Sequence, residues 1–129
     1  MQYLLDTVTV IRHFGATGRL GKGAKDILGR IDQGIDTGVI SVISLMEIMY
    51  LAEKHRINIT LNETIDIIGR SSNYTIAPLT AAIVKQAQEV YFDELHDRLI
   101  LATAIHLNVP IISSDKRLAK LATVQVVWN

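Results

Sequence analysis

Four carboxylates carry the chemistry this sequence could do: Asp6, Glu47, Asp97 and Asp115. They lie far apart in the chain, yet each stands after or near the end of a run that reads as a strand. Asp6 closes QYLLD at 2–6, Glu47 lies on the first turn after VISVI at 39–43, and Asp115 follows VPII at 109–112. Asp97 opens the apolar helix that leads into VPII. In open parallel sheets, ligands bind in the crevice outside the carboxyl ends of the strands, so acids from separate segments would converge on one edge. Like charges within ~4–6 Å repel and raise each other's pKa, and a cation relieves that repulsion. Carboxylates are hard oxygen donors, which suit Mg²⁺ or Mn²⁺. The chemistry that fits is metal-assisted phosphodiester hydrolysis, with a metal-activated water and no nucleophilic side chain.

Each acid also has a structural reading. Ser44 and Glu47 fit the S-x-x-E capping box, Asp6 and Asp115 suit N-cap positions, and Asp97 would favour the positive end of a helix dipole. Taken together those readings weaken, because they would crowd uncompensated charge into one crevice.

The elements that must position these acids are readable from periodicity. After the strand at 2–6, residues from Thr7 to about Phe14 read as a short helix, and GATGRLGKG at 15–23 reads as a loop. Apolar residues Ile27, Leu28, Ile31 and Ile35 recur at helical spacing, with Gly38 as a stop signal. VISVI suits a strand covered on both faces; a helix from Ser44 to about Lys54 follows. A helix capped by Thr60 or Asn62 runs to about Arg70, and YTIAP at 74–78 reads as a strand. Helices from Thr80 and over Asp97 to about Leu107 precede VPII, and a short helix at 115–121 and a strand at 124–128 close the chain. Strands alternating with helices predict an α/β domain, a central parallel sheet with helices on both faces.

Composition bounds the rest. The chain has 129 residues, enough for one domain with one sizeable core. It is 49% hydrophobic and 20% charged, which excludes intrinsic disorder. That much apolar content in a short chain predicts an apolar interface. Thirteen basic residues balance thirteen acidic ones, so no global attraction to nucleic acid operates, although a local basic patch remains open. The absence of cysteine excludes disulfides, thiolate zinc sites and cysteine nucleophiles. No apolar run approaches the ~20 residues that span a bilayer, and the first residues, MQYLLD, are unlike a signal peptide. A cytoplasmic protein is the expectation.

The pieces LLDT at 4–7, ISLMEI at 43–48, HDRLILATA at 96–104 and PIISSD at 110–115, in that order and over nearly the whole chain, are similar to PIN-domain ribonucleases, above all the VapC toxins of toxin–antitoxin pairs. The resemblance implies a single PIN domain over residues 1–129, a Mg²⁺ or Mn²⁺ site and endonucleolytic cleavage of RNA. It maps the family's acidic quartet onto Asp6, Glu47, Asp97 and Asp115, with Asp6, Asp97 and Asp115 as metal ligands. It implies a homodimer silenced by a cognate antitoxin that fills the active-site groove. Thr7 and Ser113 resemble hydroxyls that the family places beside its acids; alternatively Thr7 only starts a helix and Ser113 sits in a turn. Glu94 falls where many relatives carry an extra acid, but Leu95 and His96 depart from their D-P-A-D-R pattern. Arg98 would pair with a site acid or hold a neighbouring helix, and ion-pair networks favour the second reading.

Residues 12–30 hold five basic residues, Arg12, Arg19, Lys22, Lys25 and Arg30, against the single acid Asp26. Lys116, Arg117 and Lys120 follow Asp115 with no further acid. Arg12, Arg19, Lys22 and Lys116 are therefore candidates for contacts to RNA phosphates; the alternative is an ordinary solvated surface. Other chemistries fail on spacing. A P-loop would need glycine at Ala16 and Ser or Thr at Gly23, and a dinucleotide loop would need glycine at Asp26. The four histidines have no H-x-x-x-H spacing. A receiver domain would want a pair of acids near Asp6 and a lysine after the last strand, and a haloacid-type phosphatase would want an acid at Val8. The class that remains beside a nuclease is a non-catalytic module of the same fold that binds RNA or protein.

Overall fold

The strand residues alternate between two buried faces. Leu4, Val39 and Ile111 point to one side of a sheet, and Leu5, Ile40 and Ile112 to the other. The computed structural model describes residues 1–121 and 123–129. Among them run β1 (Gln2–Leu5), α1 (Thr7–Phe14), α2 (Lys22–Asp32), β2 (Thr37–Ser41), α3 (Val42–Glu53) and α4 (Leu61–Arg70). β3 (Tyr74–Ala77), α5 (Ala81–Ala87), α6 (Leu95–Leu107), β4 (Ile111–Ile112), α7 (Lys116–Ala119) and β5 (Val126–Val127) complete them. The strands form one sheet in the order β3-β2-β1-β4-β5, with every pairing parallel. Helices α5 and α6 bury their apolar sides on one face, and α1 and α2 on the other. Both faces are covered, as the alternating pattern predicts.

Several boundaries differ from the sequence reading, each for a physical reason. The run VISVI is not one strand. Ser41 ends β2, and its hydroxyl accepts the Ile43 amide at 3.0 Å, so Val42 and Ile43 already belong to α3. The N-cap is thus Ser41 rather than Ser44, and the capping box proposed for Ser44 and Glu47 does not form. The reciprocal box occurs instead at Thr60 and Glu63, where α4 begins. Gly38 is no stop signal. It lies inside β2, where a Cβ would come within 2.6 Å of the Tyr74 ring. Within GATGRLGKG, Gly23 belongs to α2 rather than to the loop, and only Gly18 among its glycines has a positive φ. A Cβ at Gly21 would meet the Trp128 carbonyl, so this glycine lets the chain after β5 close against the start of α2. Helix α2 ends at Asp32, which leaves Ile35 outside it and exposed. No helix among the described residues is long and apolar enough to cross a membrane.

Because all strands run the same way, their carboxyl ends share one edge. The strand order reverses at β1, which pairs with β2 on one side and β4 on the other. The crevice of the sheet therefore opens above β1, where Asp6 follows Leu5.

Candidate active site

Asp6 is the N-cap of α1. Its Oδ1 accepts the Thr9 amide at 2.9 Å and lies 2.6 Å from the Thr9 hydroxyl. That hydroxyl also lies 2.9 Å from the Ile112 carbonyl, and its one proton favours the shorter carboxylate contact; the Asp6 amide, donating to the Ile112 carbonyl at 3.2 Å, ties Asp6 to β4. The sequence offered both a capping and a catalytic reading for Asp6, and the two coexist, because capping engages one oxygen. Burial pushes its carboxyl up, while the Ser113 and Thr9 hydroxyls and the Thr9 amide pull the other way; the net direction is upward.

Glu47 reaches the same edge from the second turn of α3. The Thr7 hydroxyl donates to Glu47 Oε1 at 2.6 Å and lies 2.9 Å from the Ser44 hydroxyl. Thr7 has one proton, and the shorter contact to a carboxylate takes it. Ser44 must then donate to Thr7, giving a buried chain Ser44 to Thr7 to Glu47 that aims the carboxylate. Thr7 therefore does more than start a helix.

Glu94 caps α6. It accepts the Asp97 amide at 2.7 Å and sits 2.9 Å from His96 Nδ1. Its carboxylate is thus engaged by its own helix start. Asp97, in the first turn, is flanked by Glu94, Glu47, Asp115 and Asp6 together. Burial first, and then these four carboxylates, push its carboxyl up to about 6. Asp6, Glu47 and Asp115 all lie close enough to act on Asp97, and Asp115 acts on Asp6 as well.

Asp115 is the N-cap of the short α7 and is held differently. Its Oδ1 accepts the Arg117 amide at 2.9 Å and Nε at 3.1 Å, and its Oδ2 accepts Arg117 Nη2 at 2.8 Å. The Arg117 guanidinium holds the Asp115 carboxyl below the usual carboxylate range. Ser113, fully buried, accepts the Asp115 amide at 3.0 Å and stands beside Asp6, so it links the two acids. Arg98 takes the structural role foreseen for it, donating from Nε to the Ala87 carbonyl at the end of α5 at 2.7 Å.

The basic candidates do not form one patch. Arg12 donates to the Arg19 carbonyl at 2.8 Å and lines, with Arg19 and Lys25, a hollow at the C-terminal end of α1. Asp6 stands at the other end of that helix. Lys22 begins α2 beside the chain end at Asn129, and Lys116 is exposed next to Asp115. Of the four, Lys116 is adjacent in sequence to a site acid. Sequence reasoning missed Thr9, Ser44 and Arg117 in these roles. Thr9 carried a signal, standing three residues after a capping Asp; Ser44 was obscured by the misplaced end of β2.

Metal fitness is mixed. The residue types are hard oxygen donors, and the crowding at Asp97 is what a cation would relieve. Yet among the described residues no three acidic or histidine side chains are grouped tightly enough to cage an ion unaided. Mg²⁺ tolerates this, since it keeps several waters and takes few protein carboxylates.

A PIN domain family model matches residues 3–124. No curated protein matches the chain in sequence. Among solved structures, the chain is similar to one in VapBC2 from Rickettsia felis bound to a DNA fragment from their promoter, with TM-score 0.75 and 19% identity over 100% of both chains. It is similar also to a chain of a toxin–antitoxin complex from Klebsiella pneumoniae, with TM-score 0.64 and 27% identity over 95% of this chain and 94% of that one. A third is VapBC-1 from nontypeable Haemophilus influenzae, with TM-score 0.64 and 18% identity over 98% and 96%. With the family match spanning nearly the whole length and the parallel sheet presenting four acids at its carboxyl edge, the chain belongs to the PIN domain family.

Proposed function

We propose that this PIN domain is a metal-dependent endoribonuclease and the toxin of a toxin–antitoxin pair. The observation that carries the reading is the convergence of Asp6, Glu47, Asp97 and Asp115, with Asp97 pushed up to about 6. Asp6, Asp97 and Asp115 would hold Mg²⁺ or Mn²⁺ directly or through waters. A bound ion would supply an activated water and stabilise the attacking and leaving oxygens of the phosphodiester. The protein's own part is positioning. Thr9 and Ser113 orient Asp6, and the Ser44 to Thr7 relay fixes Glu47 at the edge of the cluster, where it can accept a proton from the attacking water. Lys116 and Lys22 are the candidates for drawing RNA phosphates toward the acids, and Arg12 and Arg19 would reach only a longer substrate.

Membership of toxin–antitoxin complexes among the similar structures supports a protein antitoxin as partner. Beside Glu47, Met46, Met49, Tyr50, Leu51 and His96 line a largely apolar hollow of about 440 Å³ that an antitoxin segment would fill. A homodimer and a cytoplasmic location belong to the same reading. Exposed apolar residues on separate elements, such as Tyr50, Ile76, Val84 and Leu95, give a second copy surface to cover. A monomeric mass at micromolar concentration would remove the dimer from it.

The test is cleavage of labelled single-stranded RNA by the purified protein with Mn²⁺ or Mg²⁺, against EDTA and Asp97→Asn controls. Cuts that require both metal and Asp97 support the nuclease. RNA retained but uncut supports the non-catalytic binding module instead.

A further inference from the structure

Arg117 is the one residue of the acid cluster with the wrong charge for a cation site. Both oxygens of Asp115 are committed to it, at 3.1 and 2.8 Å from the guanidinium. The same Nη2 stands 3.7 Å from Asp97 Oδ2, so the guanidinium bridges acids from two different helix starts. Phe92 supports it from below, with the guanidinium carbon 4.8 Å from the ring centroid. A bidentate arginine and a divalent cation ask for the same lone pairs on a carboxylate.

We infer that Arg117 is a built-in counter-ion of the acid cluster, which occupies the Asp115 carboxylate, screens Asp97 in the metal-free protein, and must swing away before a divalent cation can engage both acids. The inference rests on the metal-dependent reading of this site. Among the described residues, no close packing confines the arm to this position. Arg117 is mostly solvent-exposed, and its guanidinium is held by charge and ring stacking rather than by packing. Asp93 is near enough to act on the guanidinium and offers it an alternative partner once displaced. The device keeps four acids together without metal, and it makes metal loading a competition.

Mn²⁺ alone is the probe, titrated into the full-length protein by calorimetry, with the free-ion electron paramagnetic resonance signal as a second readout. Arg117→Met keeps an apolar stem against Phe92 and removes the charge; Arg117→Ala removes both. Both variants should bind Mn²⁺ roughly tenfold more tightly than the parent, since a positive charge a few ångströms from the ion is gone. Arg117→Lys, which keeps the charge and loses the fork, should fall between. Asp97→Asn should weaken binding. Unchanged or weaker Mn²⁺ affinity in both the Met and Ala variants, with Asp97→Asn still weakening it, overturns the counter-ion role and leaves the metal site standing. An absence of Mn²⁺ binding in every variant overturns the counter-ion and the metal reading together.

Discussion

The two edges of the sheet both gather acids, and they treat them in opposite ways. At the amino edge, Asp36 precedes β2 and is 5% exposed, more deeply buried than Asp97 at 37%. Yet Arg30 holds the Asp36 carboxyl below its ordinary range, aided by the Met1 ammonium, against the upward pull of burial. Their distances are 2.8 and 3.3 Å. Nearby, Asp32 faces His13 at 3.0 Å and accepts from the Tyr74 hydroxyl, also at 3.0 Å. At the carboxyl edge, Asp97 is surrounded by four acids and is pushed up. Burial alone therefore does not mark a functional carboxylate. An acid placed for fold stability comes with its cation, and an acid placed for chemistry is left short of one. Arg117 is the partial exception, one cation spread over two acids.

The sharpest way to break this contrast is to neutralise one acid at each edge. Asp97→Asn should reduce RNA cleavage by about 10²–10⁴-fold while leaving the metal-free thermal midpoint unchanged or higher, because it removes repulsion. A clear fall in that midpoint would make Asp97 a structural acid like Asp36. Next in size, Thr7→Val should lower kcat by roughly ten- to a hundredfold, the worth of one hydrogen bond to a charged group. A KM effect alone would count against a role in aiming Glu47. At the other edge, Asp36→Asn should lower the thermal midpoint by a few degrees and leave cleavage per folded molecule intact, because Arg30 loses its partner.

The smallest effect is in pH. Asp97 has its pKa raised from 3.8 to about 6 in the folded chain, so between those values the folded state binds a proton that the unfolded state does not. Its contribution to stability therefore increases as pH falls from about 6 toward 4 and is lost as pH rises through 6. Asp36, with its pKa lowered, works the other way: its contribution is fully present above the unfolded value near 3.8 and is lost as pH falls below that and through its lower folded value. Thermal melts in EDTA from pH 7 to 4.5 should show this Asp97 component as a difference from Asp97→Asn, which lacks it. Identical pH profiles for the two proteins would sink the charge-crowding account.

The parallel layout was legible because strand and helix periods alternate cleanly; the four acids stood out by their placement after strands, although capping offered each another use and Asp6 and Asp115 do cap helices. The local boundary after β2 was not legible. Val42 and Ile43 are β-branched, which favours strand, and only the Ser41 cap turns them into helix. That displacement hid Ser44, whose value lies in a tertiary contact to Thr7 across thirty-seven positions. Gly38 was misread because its reason is the Tyr74 ring on a neighbouring strand, which no local pattern reveals. Arg117 looked like one more surface charge among Lys116 and Lys120; its role depends on Asp97 and Phe92, which reach it only through the fold. Asp36 drew no attention for the complementary reason that its partners, Arg30 and the Met1 amine, assemble around it in three dimensions.

The strand order has a consequence in time. β1, made first, lies at the centre of the sheet and takes its second neighbour from Ile111 and Ile112 near the far end of the chain. The Asp6 amide donates to the Ile112 carbonyl, and the Thr9 hydroxyl beside the Asp6 carboxylate also reaches that carbonyl, so both contacts wait for that segment. Until residues 111–115 have emerged from the ribosome, Asp6 and Asp115 cannot meet, and the acid cluster does not exist. Closure then depends on pairing across more than a hundred residues, the kind of distant contact that slows folding. A chain with this topology completes its fold and its acidic edge in the same late event.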